Sequence, residues 1–145
     1  MSVTVDANVL VYADNEADPA HGPARDLIER LAAGPSVFYL FWPTLLGYLR
    51  IVTQPAILPR PLTPGAAVHN VDQLMGLRHV RVPGEMAGFW EHYLAVAGGL
   101  ARGNDVPDAH VAALMRQHEV RVIYTRDSGF RRFDGIEVRD PLAAG

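Results

Sequence analysis

Short runs of β-branched and aromatic residues alternate with helix-period segments along the whole chain, and that alternation constrains the fold more than any other feature of the sequence. Val3 to Asp6 reads as a strand that ends on an acid, and Ala7 to Ala13 follows with Val9, Leu10, Tyr12 and Ala13 at helical spacing. Pro19 to Ala33 predicts an amphipathic helix with Ala24, Leu27, Ile28 and Leu31 on one face, stopped by Gly34-Pro35. Val37 to Phe41 is β-like, and a helix runs from Trp42 through Val52, with Pro43 in a first turn that needs no N–H from it. The four prolines from Pro55 to Pro64 mark an irregular connector, after which Thr63-Pro64 opens a helix to about Leu77. Val80 to Val82 is a short strand, Met86 to Ala97 a helix, and Pro107 to His118 a helix with Ala109, Val111, Ala112, Leu114 and Met115 turned inward. Arg121 to Thr125 and Ile136 to Val138 supply the last strands. Parallel strands need crossover helices, so this order predicts an α/β sandwich around a mainly parallel sheet.

Composition narrows the chemistry. The 145 residues, 49% of them hydrophobic, suit one domain over 1–145 with one core, and no internal repeat is visible. No cysteine is present, which removes disulfides, thiolate metal sites and cysteine nucleophiles. The net charge of −3 offers no broad basic face for nucleic acid, so any such binding is local. All 13 basic residues are arginine, a pattern that a GC-rich coding sequence explains more simply than a preference for phosphate. The chain starts on a strand-like run without a basic leader, and no apolar stretch approaches the roughly 20 residues of a membrane span. The expectation is a soluble cytoplasmic protein with no membrane contact.

In open parallel sheets, sites gather beyond the carboxyl ends of the strands, and acids stand there. Asp6 follows the first strand, Asp127 follows Val122-Ile123-Tyr124, and Asp108 lies at the start of the helix that opens near Pro107. Each has an ordinary explanation: Asp6 and Asp127 could cap the helical turns behind them, and Asp108 could answer a helix dipole. Together they are harder to dismiss, because like charges gathered at one sheet edge cost stability unless a cation neutralises them. Carboxylates without neighbouring His or Cys suit a hard cation such as magnesium, which polarises a phosphoryl oxygen and activates a bound water. Phosphodiester hydrolysis is the reaction class that follows.

Three runs, T-V-D-A-N-V-L from Thr4, N-D-V-P-D-A-H-V-A-A-L from Asn104 and T-R-D-S-G-F-R-R-F from Thr125, together with W-P-T-L-L-G-Y-L-R-I-V-T-Q-P from Trp42 and the closing G-I-E-V-R-D-P-L, resemble a VapC-type PIN domain over nearly the whole chain. The resemblance implies a three-layer α/β/α sandwich with a five-stranded, mainly parallel sheet. It implies a magnesium-dependent endoribonuclease, with manganese as an ion able to replace magnesium, acting as the toxin of a type II toxin-antitoxin pair. It also implies a cognate VapB-type antitoxin and a homodimer. By position, Asp6, Asp108 and Asp127 match the acids of the family site, with Asp6 and Asp108 foremost as direct ligands, and Thr125 matches a supporting hydroxyl.

One position departs from the pattern. Many PIN domains carry a glutamate two to three residues before the arginine of the helix after the second strand; here that place is Gly47, ahead of Arg50. Either the site runs on fewer carboxylates or another acid substitutes, Asp105 being nearest by sequence. The departure is the best support for the alternative, a degenerate PIN domain that binds RNA or protein without cutting. Arg126, Arg131 and Arg132 flank Asp127 and either hold an RNA backbone or are simply solvated. The six histidines show no metal-ligand spacing, and Phe89, Trp90 and Tyr93 suit a core or a partner groove better than base stacking. The helix from Trp42 to Val52 is the expected antitoxin groove, with an arginine of the antitoxin delivered to the acids. A haloacid-dehalogenase-like phosphatase would want an acid where Asn8 stands, and a receiver domain wants a lysine that the chain lacks.

Overall fold

A computed structural model describes residues 1–143; the last two residues of the expected 1–145 domain, Ala144 and Gly145, lie outside the described residues. The elements follow the order β1 (Ser2–Val5), α1 (Ala7–Asp14), α2 (His21–Ala33), β2 (Val37–Tyr39), α3 (Trp42–Val52), α4 (Pro64–Met75), β3 (Val80–Arg81), α5 (Phe89–Ala97), α6 (Asp105–Gln117), β4 (Val122–Tyr124) and β5 (Glu137–Arg139), with a 3₁₀ turn at Ser128–Arg132. The sheet order is β3-β2-β1-β4-β5 and every pairing is parallel. Strand β1 is therefore central, and the order reverses at it. The crevice that such a reversal opens lies beyond the carboxyl ends of β1 and β4.

The two faces of the sheet follow the side-chain period of two. Val3, Val5, Phe38, Val80 and Val122 pack with Leu10, Leu27, Leu45, Tyr48 and Ala67 from α1 to α4. Ile123, Tyr39 and Val138 face the other way, onto α5 and α6 through Ala97, Ala112, Leu114 and Met115. Three layers, α/β/α, result. Thr4 points to the second face although buried, and its Oγ1 donates to the Tyr39 carbonyl at 2.7 Å, so no hydroxyl is stranded there. No helix among the described residues is long and apolar enough to cross a membrane.

Three helix starts differ from the sequence expectation, the first being α2, which begins at His21 rather than Pro19. Helix α6 begins at Asp105, two residues before Pro107, which sits at its third position where its missing N–H costs nothing. Helix α5 begins at Phe89 rather than Met86, because Gly88 stands in the left-handed region at φ 85° and ends the preceding loop. That loop is held down by α6: Gln117 accepts from the Met86 amide at 3.0 Å and donates to the Met86 and Ala87 carbonyls at 3.1 and 3.2 Å, while His118 Nε2 lies 2.9 Å from the Gly84 carbonyl. Far from the carboxyl edge, the end of α1 is tied to two neighbours. The Tyr48 hydroxyl donates to Asp14, and Asn70 donates to the Tyr48 oxygen at 3.1 Å and to Asp14 at 3.4 Å.

Candidate active site

Asp6 is the first residue beyond β1, and its amide donates to the Tyr124 carbonyl at 3.0 Å, which fixes it against the end of β4. Its backbone occupies the N-cap position of α1, but its side chain makes no capping hydrogen bond. The carboxylate instead accepts from Thr125 Oγ1 at 2.9 Å. Thr125 is 2% exposed, and the same oxygen accepts from the Asp127 amide at 2.9 Å. One hydroxyl thus joins the acid after β1 to the loop after β4. Asp127 does cap, accepting from the Gly129 amide at 2.8 Å. Its capping role and its place beside the other acids are compatible, because only one carboxylate oxygen is used.

Asp108 lies one turn into α6, and Asp105 three residues before it stands on the same side of the helix. Both face Arg132, whose Nη2 is 3.4 Å from Asp105 Oδ1 and 3.6 Å from Asp108 Oδ2. Arg132 Nη1 donates to the Gly129 carbonyl at 2.6 Å, and the guanidinium lies 4.5 Å from the Phe133 ring centroid. Arg126 lies over the Tyr12 ring at 5.7 Å, and Arg131 is exposed without an ion pair among the described residues. Gly47 on α3 faces the start of α1: a Cβ there would sit 3.5 Å from the Ala7 Cβ, ordinary contact one residue from Asp6.

The electrostatics show the acids sensing one another. Burial raises the Asp6 carboxyl above the usual aspartate range; the Thr125 hydroxyl and the Ala7 amide oppose that shift, and the Asp127 charge adds to it. Asp108 is pushed from 3.8 up to about 6, first by burial, then by the charges of Asp127 and Asp6, with Arg132 pulling the other way. A carboxylate in the first turn of a helix would ordinarily be favoured in its charged form. Here burial and like charge outweigh the dipole. No three Asp, Glu or His side chains among the described residues close on a single point as a finished cage. Magnesium does not require one, since it retains several waters and takes one or two carboxylates. A donor set of hard carboxylates, mutually repelling and partly desolvated, fits such an ion.

The aspartates that the sequence singles out come to one sheet edge from three different elements, and Thr125 joins two of them. Gly129, and the role that Arg132 takes, are not visible in the sequence pattern, which offers Arg132 only as a contact for an RNA backbone. Gly129 leaves open the space that a Cβ would contest, at 2.5 Å from Arg132 Nη1 and 2.9 Å from Asp127 Oδ1. Arg132 reaches α6 rather than only the turn that carries it. The glycine in D-S-G-F is the one signal for the first, and nothing in local spacing signals the second.

The PIN domain family model matches residues 3–136. Ribonuclease VapC48 of Mycobacterium tuberculosis is 50% identical over 144 residues, covering 99% of each chain, and Ribonuclease VapC43 of the same organism is 36% identical over 141 residues, covering 95% of this chain and 94% of that one. Among solved structures, VapC20 of Mycobacterium tuberculosis, described as a Sarcin-Ricin loop cleaving toxin, superposes with a TM-score of 0.65 at 23% identity, covering 93% of this chain and 98% of that one. VapBC2 of Rickettsia felis, solved bound to a DNA fragment from its promoter, gives a TM-score of 0.68 at 16% identity over 97% of this chain and 98% of that one.

Proposed function

This chain belongs to the PIN-domain family, among the VapC-type ribonuclease toxins, and from that premise we propose that its endoribonuclease chemistry runs on a divalent ion held by Asp6 and Asp108 with Asp127 beside them. Magnesium is the ion, and manganese can replace it. The observation that carries this reading is that three acids from the end of β1, from α6 and from the turn after β4 stand at one sheet edge, where burial first, and then the charges of Asp127 and Asp6, raise the Asp108 pKa. When bound, the ion polarises a phosphoryl oxygen and lowers the pKa of a coordinated water. The residues of the chain do the rest. Thr125 orients the Asp6 carboxylate by donating to it, and its bond from the Asp127 amide sets the loop that carries the third acid. We read Arg126 and Arg131, both exposed, as contacts for an RNA backbone; Arg132, the third arginine of that expectation, is turned instead to Asp105 and Asp108.

The partner reading follows from the family type. A VapB-type antitoxin silences the toxin, docking on α3, where Trp42 and Leu46 are 41% and 58% exposed one helical turn apart, and delivering an arginine to the acids. The protein is one PIN domain, acts in the cytoplasm and pairs as a homodimer. Light scattering at micromolar concentration returning only monomer would overturn the dimer. The enzymatic reading is tested by incubating purified protein with total RNA in magnesium, in EDTA, and as Asp108→Asn. Cleavage confined to the magnesium sample of the unaltered protein supports it; cleavage that ignores both changes overturns the metal site.

A further inference from the structure

We infer that Arg132 is a built-in counter-cation of the acid cluster: its guanidinium, held between Asp105 and Asp108, competes with a divalent ion for Asp108, and Asp105 is the carboxylate that positions it there. The inference rests on the reading that this cluster takes a divalent ion. Arginine side chains carry much rotamer freedom and ordinarily wander over a surface. This one is held on three sides. Nη1 is committed to the Gly129 carbonyl at 2.6 Å, the guanidinium lies over Phe133, and Phe133 is itself 4% exposed and packed edge-on against Phe130 at 6.0 Å. Only Nη2 is left facing the acids, and it reaches both, at 3.4 and 3.6 Å.

Position 129 supports the same assignment independently. Any Cβ there would fall 2.5 Å from Arg132 Nη1 and 2.9 Å from Asp127 Oδ1, so the bare glycine is what lets the guanidinium and the carboxylate occupy the same short turn. The cluster thus contains a positive charge of its own. An ion arriving at Asp108 meets that charge, and Asp105, whose Oδ1 faces Arg132, is already engaged. The position vacant of a glutamate at Gly47 and the position filled by Asp105 are therefore not exchangeable: one lies against Ala7, the residue after Asp6, and the other by Arg132.

The test is a titration of manganese into the full-length protein, with free ion counted by electron paramagnetic resonance, for the unaltered chain, Arg132→Gln, Arg132→Lys and Asp105→Asn. A half-exposed ion pair is modest, so neutralising Arg132 is expected to tighten manganese binding about two- to fivefold. Lysine keeps the charge and should leave affinity near that of the unaltered chain, which separates charge from bulk. Asp105→Asn should alter affinity by less than about threefold, because Asp105 serves the guanidinium and not the ion. Equal or weaker binding by Arg132→Gln overturns the inference, as does a tenfold or greater loss in Asp105→Asn. Absence of binding by the unaltered chain overturns the metal site itself, whereas equal binding by all four overturns this inference alone. Thermal melts of each variant establish that it is folded.

Discussion

Replacing Asp108 by Asn removes one charge from a crowded cluster while keeping the shape of the side chain, and the structure fixes the direction of the result. Moving this carboxyl from 3.8 to about 6 means that the folded state resists its ionisation. At about 1.4 kcal/mol per unit, the ceiling on the destabilisation at neutral pH is about 3 kcal/mol. The side chain is 27% exposed, so water screens part of this, and the lost contact with Arg132 returns at most a few tenths. A gain of about 1 to 1.5 kcal/mol remains for the metal-free variant. For a chain of this length, that raises the melting temperature by about 3 to 5 °C. Magnesium at ten times its Kd adds about 1.4 kcal/mol to the unaltered protein and little to the variant, so the order of stabilities should narrow or invert. The sign of the pH dependence supplies a control. Because the folded pKa is the higher one, stability from the protonated carboxyl is present below the ordinary value and is lost as pH rises through about 6. The variant's advantage should therefore be large at neutral pH and nearly absent below the ordinary aspartate value of 3.8. Differential scanning calorimetry in both pH regimes, with and without magnesium, is the assay. An Asp108→Asn protein that melts at or below the unaltered one without metal, and shifts in parallel with it when magnesium is added, would refute the reasoning.

Thr125→Val removes both the bond to Asp6 and the acceptor for the Asp127 amide, and should cost about 1 to 3 kcal/mol in urea denaturation and cut RNA cleavage sharply, while Thr125→Ser keeps both bonds and most of the activity. Gly47→Glu places a Cβ at contact distance from Ala7 and a carboxylate within reach of Asp6, so magnesium binding measured by isothermal titration calorimetry should tighten; an unchanged Kd would mean that the side chain does not turn to the site. Magnesium affinity of the unaltered protein should climb as pH rises through about 6 and Asp108 loses its proton, and a flat profile across that range would count against Asp108 as a ligand.

The strand and helix order is readable because each element announces itself locally: Val3 to Val5 alternates faces of the sheet, and Ala109 to Met115 carries a buried run at helical spacing. Parallel pairing follows from the crossovers, and Asp6 and Asp127 follow from the ends of strands, Asp108 from the start of a helix. What local pattern does not reach depends on contacts across long stretches of chain. Met86 reads as the start of a helix, yet its amide is taken by Gln117, 31 residues on. Asp105 reads as the acid nearest by sequence to stand in for the missing glutamate, yet it begins α6 and faces Arg132, 27 residues away. Gly47 stands out in the sequence only for the carboxylate it lacks; that it abuts Ala7 is a matter of how α3 crosses α1.

The tie among Asp14, Tyr48 and Asn70 bears on the site through leverage. Helix α1 has eight residues and is about 12 Å long. Its near end is pinned to β4 by the Asp6 amide, and its far end to α3 and α4 by the Tyr48 hydroxyl and Asn70. A rod of that length that tilts by about 5° swings one end by about 1 Å, a misplacement that costs a catalytic constellation on the order of a hundredfold. Both ends must therefore be held for either to stay in place. Tyr48→Phe, at the end of the helix away from the chemistry, would leave the outer bearing on the 3.4 Å bond from Asn70 alone and let thermal motion of the rod translate into angular play at the Asp6 carboxylate.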